Sequence, residues 1–369
     1  MFVRAPFYFV IVGVMLVDLS FGSLGAKEHW GMQEGSVDLS SATTLAFGPD
    51  DILFIGDAKA AVVFAVATDD QTRESDRSPI DIQDLPKSLA RHTKSQEVAI
   101  HDLVVNPRTG TAFLAISADA QPMIVFVTKG NQLQTLDLKN CLYSKVVLDD
   151  APEDKVVTTG RRKRNPRQDA ITDLAFFENK LLVSGLRDAV ASSTVRELSF
   201  PFADQERGIG VQIYHAAHGR EEETSAMRTF VPLMVDGEPT IVGAYVCTPL
   251  VKIPVSELTG AAESVTATTV AELGNRNRPL DMVAYEQDGN EYLLLSNSAR
   301  GVMKIPTHGL GEATGIVEPV RGGGTAGQPY ETIESLDGLL EMDLHSDSSL
   351  LVLRQDQNGK QNLATVRLP

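Results

Sequence analysis

Short segments in which apolar and polar residues alternate recur along the chain and are separated by polar turns. The first copy, residues 43–66, reads TTLAFGPDDILFIGDAKAAVVFAV and holds three apolar stretches. Five related segments, whose starts lie roughly 50–70 residues apart, begin near Ile100, Ile171, Arg228, Leu280 and Leu339. The alternation predicts β-strands. The period is typical of the blades of a β-propeller rather than of a helical solenoid.

These repeats predict an all-β protein with the architecture of a six-bladed β-propeller. The last repeat leaves no residues for a fourth strand before Pro369, whereas Gly35–Ser40 precede the first repeat. We therefore expect an N-terminal strand to pair with the last blade and close the ring, which removes an exposed sheet edge. Seven blades are the alternative, because Asn140–Asp169 is long enough to contain further strands.

The first repeat resembles a known group of propellers. Its phrase LAFGPDDILFIGDAKAAVVFAV is similar to blades of the NHL, YVTN and SMP-30/gluconolactonase-like group. The single tryptophan, Trp30, disfavours WD40 blades, which repeat a Trp-Asp pair. Residues Tyr245–Ile305 are similar to uncharacterised exported bacterial propeller proteins. The resemblance implies a fold but no activity, because propellers serve catalysis, ligand binding and protein docking alike.

The two ends of the chain and its charge indicate a compartment. Arg4 and the apolar run Phe7–Leu19 precede small residues up to Ala26, so residues 1–26 read as a signal peptide, with an uncleaved anchor as the alternative. Residues 27–369 then form a single propeller domain of an exported protein, periplasmic or extracellular. The net charge of −16 argues against nucleic acid as a partner. We expect a monomer that binds a protein or carbohydrate.

One position recurs just before the apolar core of the first strand in each repeat, and it is mostly acidic. The residues are Thr44, Asp102, Asp173, Thr229, Asp281 and Glu341. Because the innermost strands of a propeller line its central channel, we expect these side chains to form a ring at one mouth. Clustered carboxylates repel one another, which raises some of their pKa values or recruits a cation.

Asp102, Asp173, Asp281 and Glu341 are therefore candidate metal ligands, and Ca²⁺ or Mg²⁺ suits such an oxygen-rich site. His101 is a candidate nitrogen ligand or general base beside them. SMP-30-like enzymes hold a divalent metal in their central channel, so the resemblance implies the same location. The alternative is structural, since Asp and Thr at such positions also accept hydrogen bonds from backbone N–H groups of their own or the next blade.

Polar residues also occupy the turns between the second and third strands of the repeats. They are Asp57, Lys59, Arg187, Asp188, Asn297 and Arg300. These turns lie at one face of a propeller, so we consider their side chains candidates for the rim of a binding surface. Ordinary solvated turn residues are the alternative.

The histidines and cysteines give two further candidates. His215 and His218 precede an acidic run, but residues three apart on a strand face opposite sides, so they converge on a metal only if the strand has already ended. We expect a surface loop there. Cys141 and Cys247 lie on different repeats, so we expect two unpaired thiols.

Three functional hypotheses follow. The chain lacks the nucleophile-elbow, zinc-protease, haem-attachment and phosphate-loop motifs, and no organic cofactor is predicted. The first hypothesis is a non-enzymatic scaffold that binds a protein, peptide or polysaccharide on one face. The second is a metal-dependent hydrolase of the lactonase or phosphotriesterase type with its metal in the channel. The third is a propeller subunit that supports a redox partner.

Overall fold

The computed structural model describes residues 30–70, 72–73, 77–159, 162–188, 190, 192–203, 207–258 and 263–369. The expected signal peptide, residues 1–26, lies outside these ranges. Within them, no helix has both the length and the apolar character needed to cross a membrane.

Among the described residues, β-strands form most of the regular structure, and one α-helix, α1, covers Leu85–Thr93. The strands up to residue 164 are β1 Gln33–Gly35, β2 Thr44–Phe47, β3 Ile52–Asp57, β4 Val62–Ala67, β5 Asp81–Ile82, β6 Val98–Val105, β7 Ala112–Ala118, β8 Gln121–Thr128, β9 Gln132–Thr135, β10 Cys141–Val147, β11 Val157–Thr159 and β12 Arg162–Arg164.

The remaining strands follow from residue 173 onward. They are β13 Asp173–Phe177, β14 Lys180–Arg187, β15 Ser192–Ser199, β16 Ile209–His215, β17 Arg220–Glu222, β18 Met227–Val235, β19 Glu238–Tyr245, β20 Pro249–Pro254, β21 Ser264–Glu272, β22 Pro279–Gln287, β23 Asn290–Asn297, β24 Gly301–Pro306, β25 Ala326–Gly327, β26 Glu331–Thr332, β27 Leu339–Ser346, β28 Ser349–Gln355 and β29 Gln361–Arg367. Short 3₁₀ turns lie at Pro49–Asp51, Pro166–Asp169, Val255–Leu258 and Glu334–Leu336.

Most strands belong to antiparallel groups whose first strand is innermost. From the inside outward the groups are β2-β3-β4-β10, β6-β7-β8-β9, β13-β14-β15-β16, β18-β19-β20-β21, β22-β23-β24-β26 and β27-β28-β29-β5. β1 extends the first group beyond β10. The outer strands β16 and β21 pair in parallel and join two groups into one larger sheet.

The innermost strands pack against one another in a closed order. β2 contacts β6 and β13, and the chain of contacts continues from β6 through β27, β22 and β18 back to β13. This arrangement surrounds a central channel, as in propeller-type proteins. The spatial order differs from the chain order at one place, because the group that begins with β6 lies between the first and last groups.

The closure of the ring differs from the sequence prediction. The last group receives its outer strand from β5, which pairs with β29, whereas β1 pairs with β10 in the first group. Apolar contacts account for both choices. Ile82 is buried beside Leu353 and Leu363 of the last group, and Trp30, just before β1, stacks on Phe200 with ring centroids 5.1 Å apart.

The segment that seven blades required has another role. Residues 140–169 supply β10 to the first group and the separate β11–β12 hairpin. The length of this segment allowed further strands, as the alternative required, but it did not indicate which sheet they join.

Burial explains the pattern of apolar and polar residues along the strands. Ile52–Ile55 of β3 is a continuous apolar run because both faces of this middle strand pack against neighbouring groups, and all four side chains are fully buried. On the innermost strand β6, Leu103 and Val105 are buried, whereas Asp102 and Val104 are partly exposed to the channel. The alternation on innermost strands therefore reflects one packed face and one channel face.

Candidate functional site

The structure brings the predicted acidic ring together at one end of the channel. A cavity of about 160 Å³ is lined by Asp102, Asp173, Asp281 and Glu341, together with both threonines of the ring, Thr44 and Thr229. All of them lie on innermost strands, as the repeat predicted, and Thr44 and Asp173 are the first residues of theirs. We call this cavity the channel mouth.

Three aspartates of the ring accept backbone N–H groups from all of the innermost strands. Each aspartate takes the N–H of the next residue in its own strand and one N–H from a neighbouring innermost strand. The donors are Leu103 and Leu45 for Asp102 (2.7 and 2.5 Å), Leu174 and Phe230 for Asp173 (both 2.8 Å), and Met282 and Met342 for Asp281 (2.7 and 2.5 Å). The aspartates therefore tie adjacent strand groups together in pairs.

A fourth aspartate repeats this arrangement deeper in the channel. Asp343 accepts the N–H of Leu344 and that of Val105, both at 2.7 Å, and so connects the last group to the group of β6. Asp343 was not among the residues predicted from the repeat. It could have been found as an acidic residue two positions after Glu341, because alternate residues of this strand face the channel.

Burial raises the pKa values of these acids. Removal from water raises the pKa of Asp173 to about 7 and that of Asp281 to about 6, although the backbone donors oppose both shifts. For Asp102 and Glu341, burial and then repulsion by Asp281 hold the pKa well above its usual range. Near neutral pH the ring therefore carries fewer negative charges than its number of carboxyl groups.

Glu341 differs from the aspartates of the ring. Within the described part of the chain, no group donates a hydrogen bond to its carboxylate. Arg278 is exposed at the same cavity and lowers the pKa of Glu341, but among the described residues it forms no ion pair within 4.0 Å. Arg228, also at the cavity, is instead paired with Asp169 at 2.6 Å. The channel mouth thus offers one unengaged carboxylate and one unengaged guanidinium.

His101 lies at the edge of this cavity. Its ring is exposed, and Nε2 lies 3.0 Å from the Ser117 hydroxyl. Burial on its protein side lowers its pKa, so the imidazole is mostly neutral at pH 7. It is thus able to exchange hydrogen bonds with a ligand in the mouth.

Beyond the aspartates the channel widens and becomes apolar. A second cavity of about 430 Å³ is lined mainly by aliphatic and aromatic side chains of the innermost strands, with Asp343 among them. The polar ring therefore separates a small hydrophilic chamber from a larger hydrophobic one.

The predicted rim residues lie in different environments. Asp57 is fully buried and accepts hydrogen bonds from Ser41 and from the backbone of Ser40 and Ala60. Arg187 and Asn297 are also buried, which places them inside the turns rather than on an exposed rim. The physical reason is that each of these side chains forms hydrogen bonds with backbone groups inside the protein.

The other three rim candidates remain at the surface to different degrees. Lys59 is exposed, Asp188 is partly exposed, and Arg300 donates to the backbone oxygens of Asn275 and Gly323. Arg187 itself donates to the backbone oxygens of Gly208 and Glu263. The structure therefore does not bring the six candidates together as one polar surface.

The two histidines of the predicted surface loop meet. β16 ends at His215, and a turn through Gly219 returns the chain along β17, so the rings of His215 and His218 lie 3.9 Å apart between centroids. One ring nitrogen of each and the Cys247 sulfur all lie within 4.8 Å of one another. In the described ranges this is the one group of three metal-capable side chains that meets this distance criterion. No pattern in the sequence around Cys247 indicated that it would join the two histidines.

Comparisons with known proteins show that the chain is similar in fold to propeller-type structures, and they show no further property of it. No protein-family model matches the chain, and no curated protein matches it. Among solved structures, the PQQ-bound aldose sugar dehydrogenase of Streptomyces coelicolor is 11% identical over 91% of this chain and 96% of its own, with a TM-score of 0.33. Virginiamycin B lyase of Staphylococcus aureus is 8% identical over 91% and 99%, with a TM-score of 0.37. The C-terminal WD40 domain of Sif2 is 9% identical over 92% and 98%, with a TM-score of 0.35.

Proposed function

We propose that the chain is an exported six-bladed propeller that acts as a binding scaffold and takes the end of a polysaccharide at the channel mouth. The observation that carries this proposal is the pair of unengaged groups there. Within the described part of the chain, Glu341 has a carboxylate without a hydrogen-bond donor and Arg278 has a guanidinium without an ion pair. Sugar hydroxyls donate to the first and accept from the second.

The size and rigidity of the cavity support a small polar ligand. Its volume of about 160 Å³ is below the roughly 300–1,000 Å³ of sites that enclose drug-sized ligands. One sugar unit at the end of a chain suits such a space better than a folded protein surface does. Backbone N–H groups hold Asp102, Asp173 and Asp281, which line the channel mouth, in fixed positions. These side chains therefore lose little conformational entropy when a ligand binds.

Calorimetric titration tests the proposal. A panel of neutral oligosaccharides is titrated into the purified protein and into Glu341→Gln, Arg278→Gln and the control Glu312→Gln, whose side chain is exposed away from the mouth. We expect at least one oligosaccharide to bind, with about tenfold weaker affinity for each mouth variant and unchanged affinity for the control. An oligosaccharide affinity that is unchanged in both mouth variants contradicts the proposal, as does binding of short peptides alone.

The metal-dependent hydrolase is the second candidate, and clustering of carboxylates with raised pKa values favours it. It requires Asp102, Asp173, Asp281 and Glu341 to ligate a cation. The oxygens of the three aspartates instead accept backbone N–H groups, and no three carboxylates in the described ranges bring their oxygens within 4.8 Å of one another. A Ca²⁺- or Mg²⁺-dependent activity lost in Glu341→Gln favours the hydrolase. Among the described residues, no feature favours the redox-subunit hypothesis.

A further inference from the structure

The cluster of His215, His218 and Cys247 lies away from the channel axis but at the same end of the molecule as its mouth. Cys247 lies in the turn between β19 and β20. Met227, at the start of the innermost strand β18, pairs with Tyr245 beside that turn. β21, whose last residue Glu272 pairs with Pro249, ends at the same level. β16 of the neighbouring group pairs in parallel with β21 and ends at His215, so strand ends of two neighbouring groups converge at this place.

Glu222 fixes both histidine rings. Its two carboxylate oxygens lie 2.8 Å from Nδ1 of His215 and 2.7 Å from Nδ1 of His218. A carboxylate only accepts hydrogen bonds, so each Nδ1 carries the proton and each Nε2 of a neutral ring carries a lone pair. A carboxylate that holds the far nitrogen of a histidine is the usual outer partner of a histidine bound to a metal.

The inner histidine has an unmet bonding requirement. The His215 side chain is 3% exposed, and its Nε2 is buried with no hydrogen-bond partner in the described part of the chain. Leaving a buried polar atom unpaired costs about 1–3 kcal/mol. A metal ion bound at this nitrogen removes that cost, which a solvated loop histidine would not incur.

We propose that Nε2 of His215, Nε2 of His218 and the thiolate of Cys247 bind one Zn²⁺ or another borderline-soft divalent transition metal. Two imidazoles and one thiolate are the donor set that Zn²⁺ and Cu²⁺ prefer over Ca²⁺ or Mg²⁺. Tetrahedral Zn²⁺ with bonds of about 2.0–2.3 Å spaces its ligand atoms about 3.3–3.7 Å apart. One nitrogen of each ring and the Cys247 sulfur lie within 4.8 Å of one another, which is near that spacing.

The site leaves a position for a fourth ligand. His218 has 43% of its side chain exposed, so the metal is reached from solvent. Three protein ligands with one open position are typical of zinc that binds a water or a substrate, whereas structural zinc has four protein ligands. The proposed metal site is independent of the sugar-binding proposal, because the two share no residue.

Cobalt substitution tests this site in the full-length protein. Chelator-treated protein is titrated with Co²⁺ and then Zn²⁺ while the absorption spectrum is followed. We expect one equivalent of Co²⁺ to produce tetrahedral d–d bands and a thiolate-to-cobalt charge-transfer band, and one equivalent of Zn²⁺ to remove both. Failure to bind one equivalent, or a spectrum without thiolate charge transfer, overturns the proposal.

Matched variants locate the bound ion. Cys247→Ser abolishes the charge-transfer band, whereas Cys141→Ser, which removes the other free thiol, preserves it. His218→Gln lowers Zn²⁺ affinity by at least tenfold, and the exposed control His308→Gln leaves it unchanged. Glu222→Gln retains one equivalent but weakens it about 10–100-fold. Circular dichroism verifies that each variant folds. A band that persists in Cys247→Ser contradicts the proposed ligands.

Discussion

The carboxylate of Asp173 accepts the backbone N–H of Phe230 at 2.8 Å, although the two residues lie on innermost strands of different groups. The same carboxylate accepts the N–H of its neighbour Leu174. Asp102 and Asp281 repeat this geometry between other groups. A short acidic side chain at a recurring position thus acts as a clamp between strands that form no backbone ladder with each other.

This clamp predicts that substitutions of two acidic residues of the same ring lower the unfolding free energy by different amounts. Asp173→Asn leaves one of its N–H donors unpaired, since an amide has a single acceptor oxygen, and we expect a loss of about 1–3 kcal/mol in unfolding free energy. Glu341→Gln removes no described hydrogen bond, so we expect a change within about 0.5 kcal/mol. Urea unfolding measures both. Equal losses in the two variants contradict the clamp.

The raised pKa of Asp173 predicts how that loss depends on pH. Burial raises the pKa to about 7 from 3.8, so between about pH 4 and 7 the folded protein holds a proton that the unfolded chain releases. The stabilisation that the protonated Asp173 contributes to the folded state is fully present below this pH window and is lost as pH rises through about 7. We therefore expect the penalty of Asp173→Asn to be larger at about pH 5 than at about pH 8. A penalty that grows with pH contradicts the assignment.

A buried ion pair outside the channel predicts a larger loss. Arg196 has 1% of its side chain exposed and donates to Asp150 at 2.8 and 3.0 Å. Arg196→Met leaves the Asp150 carboxylate, which is 13% exposed, without this partner, so we expect a loss of about 3–5 kcal/mol in unfolding free energy. The exposed pair Lys155–Glu153 is the control, and Glu153→Gln should leave the urea midpoint unchanged. Similar midpoints for the two variants would count against the prediction.

The strand that completes the last group gives a test of the ring closure. Ile82 of β5 is buried among Leu351, Leu353 and Leu363, so Ile82→Ala should cost about 2–5 kcal/mol. The amide of Thr365, which donates to the backbone oxygen of Ile80, should also exchange faster with deuterium. Val156→Ala, at an exposed position, is the control. Unchanged stability and exchange in Ile82→Ala would show that β5 does not hold this edge.

The parts of the fold that local pattern determines were predictable from the sequence. The first strand of each repeat follows from the repeated apolar pattern, as does the recurring position before its core. The strand ladders nevertheless shift register beside Asp102, Thr229, Asp281 and Glu341. The sequence also indicated that His215 and His218 converge only if the strand has already ended.

Long-range choices were not predictable in the same way. β5 and β10 join groups that are not their neighbours in the chain, and a two-residue strand carries no pattern that names its partner. Asp57 and Arg187 look like exposed turn residues by composition, yet they are buried because backbone groups from other segments meet there. Cys247 joins the histidines only through the approach of two strand groups.

Melting of chelator-treated protein with and without excess Ca²⁺ or Mg²⁺ tests most directly whether the channel aspartates clamp the backbone or ligate a cation. A ligand that binds only the folded state raises the melting temperature. With every aspartate oxygen already accepting an N–H group, we expect neither ion to change the melting temperature of the wild type or of Asp281→Asn. A rise of several degrees in the wild type that disappears in Asp281→Asn would contradict the account.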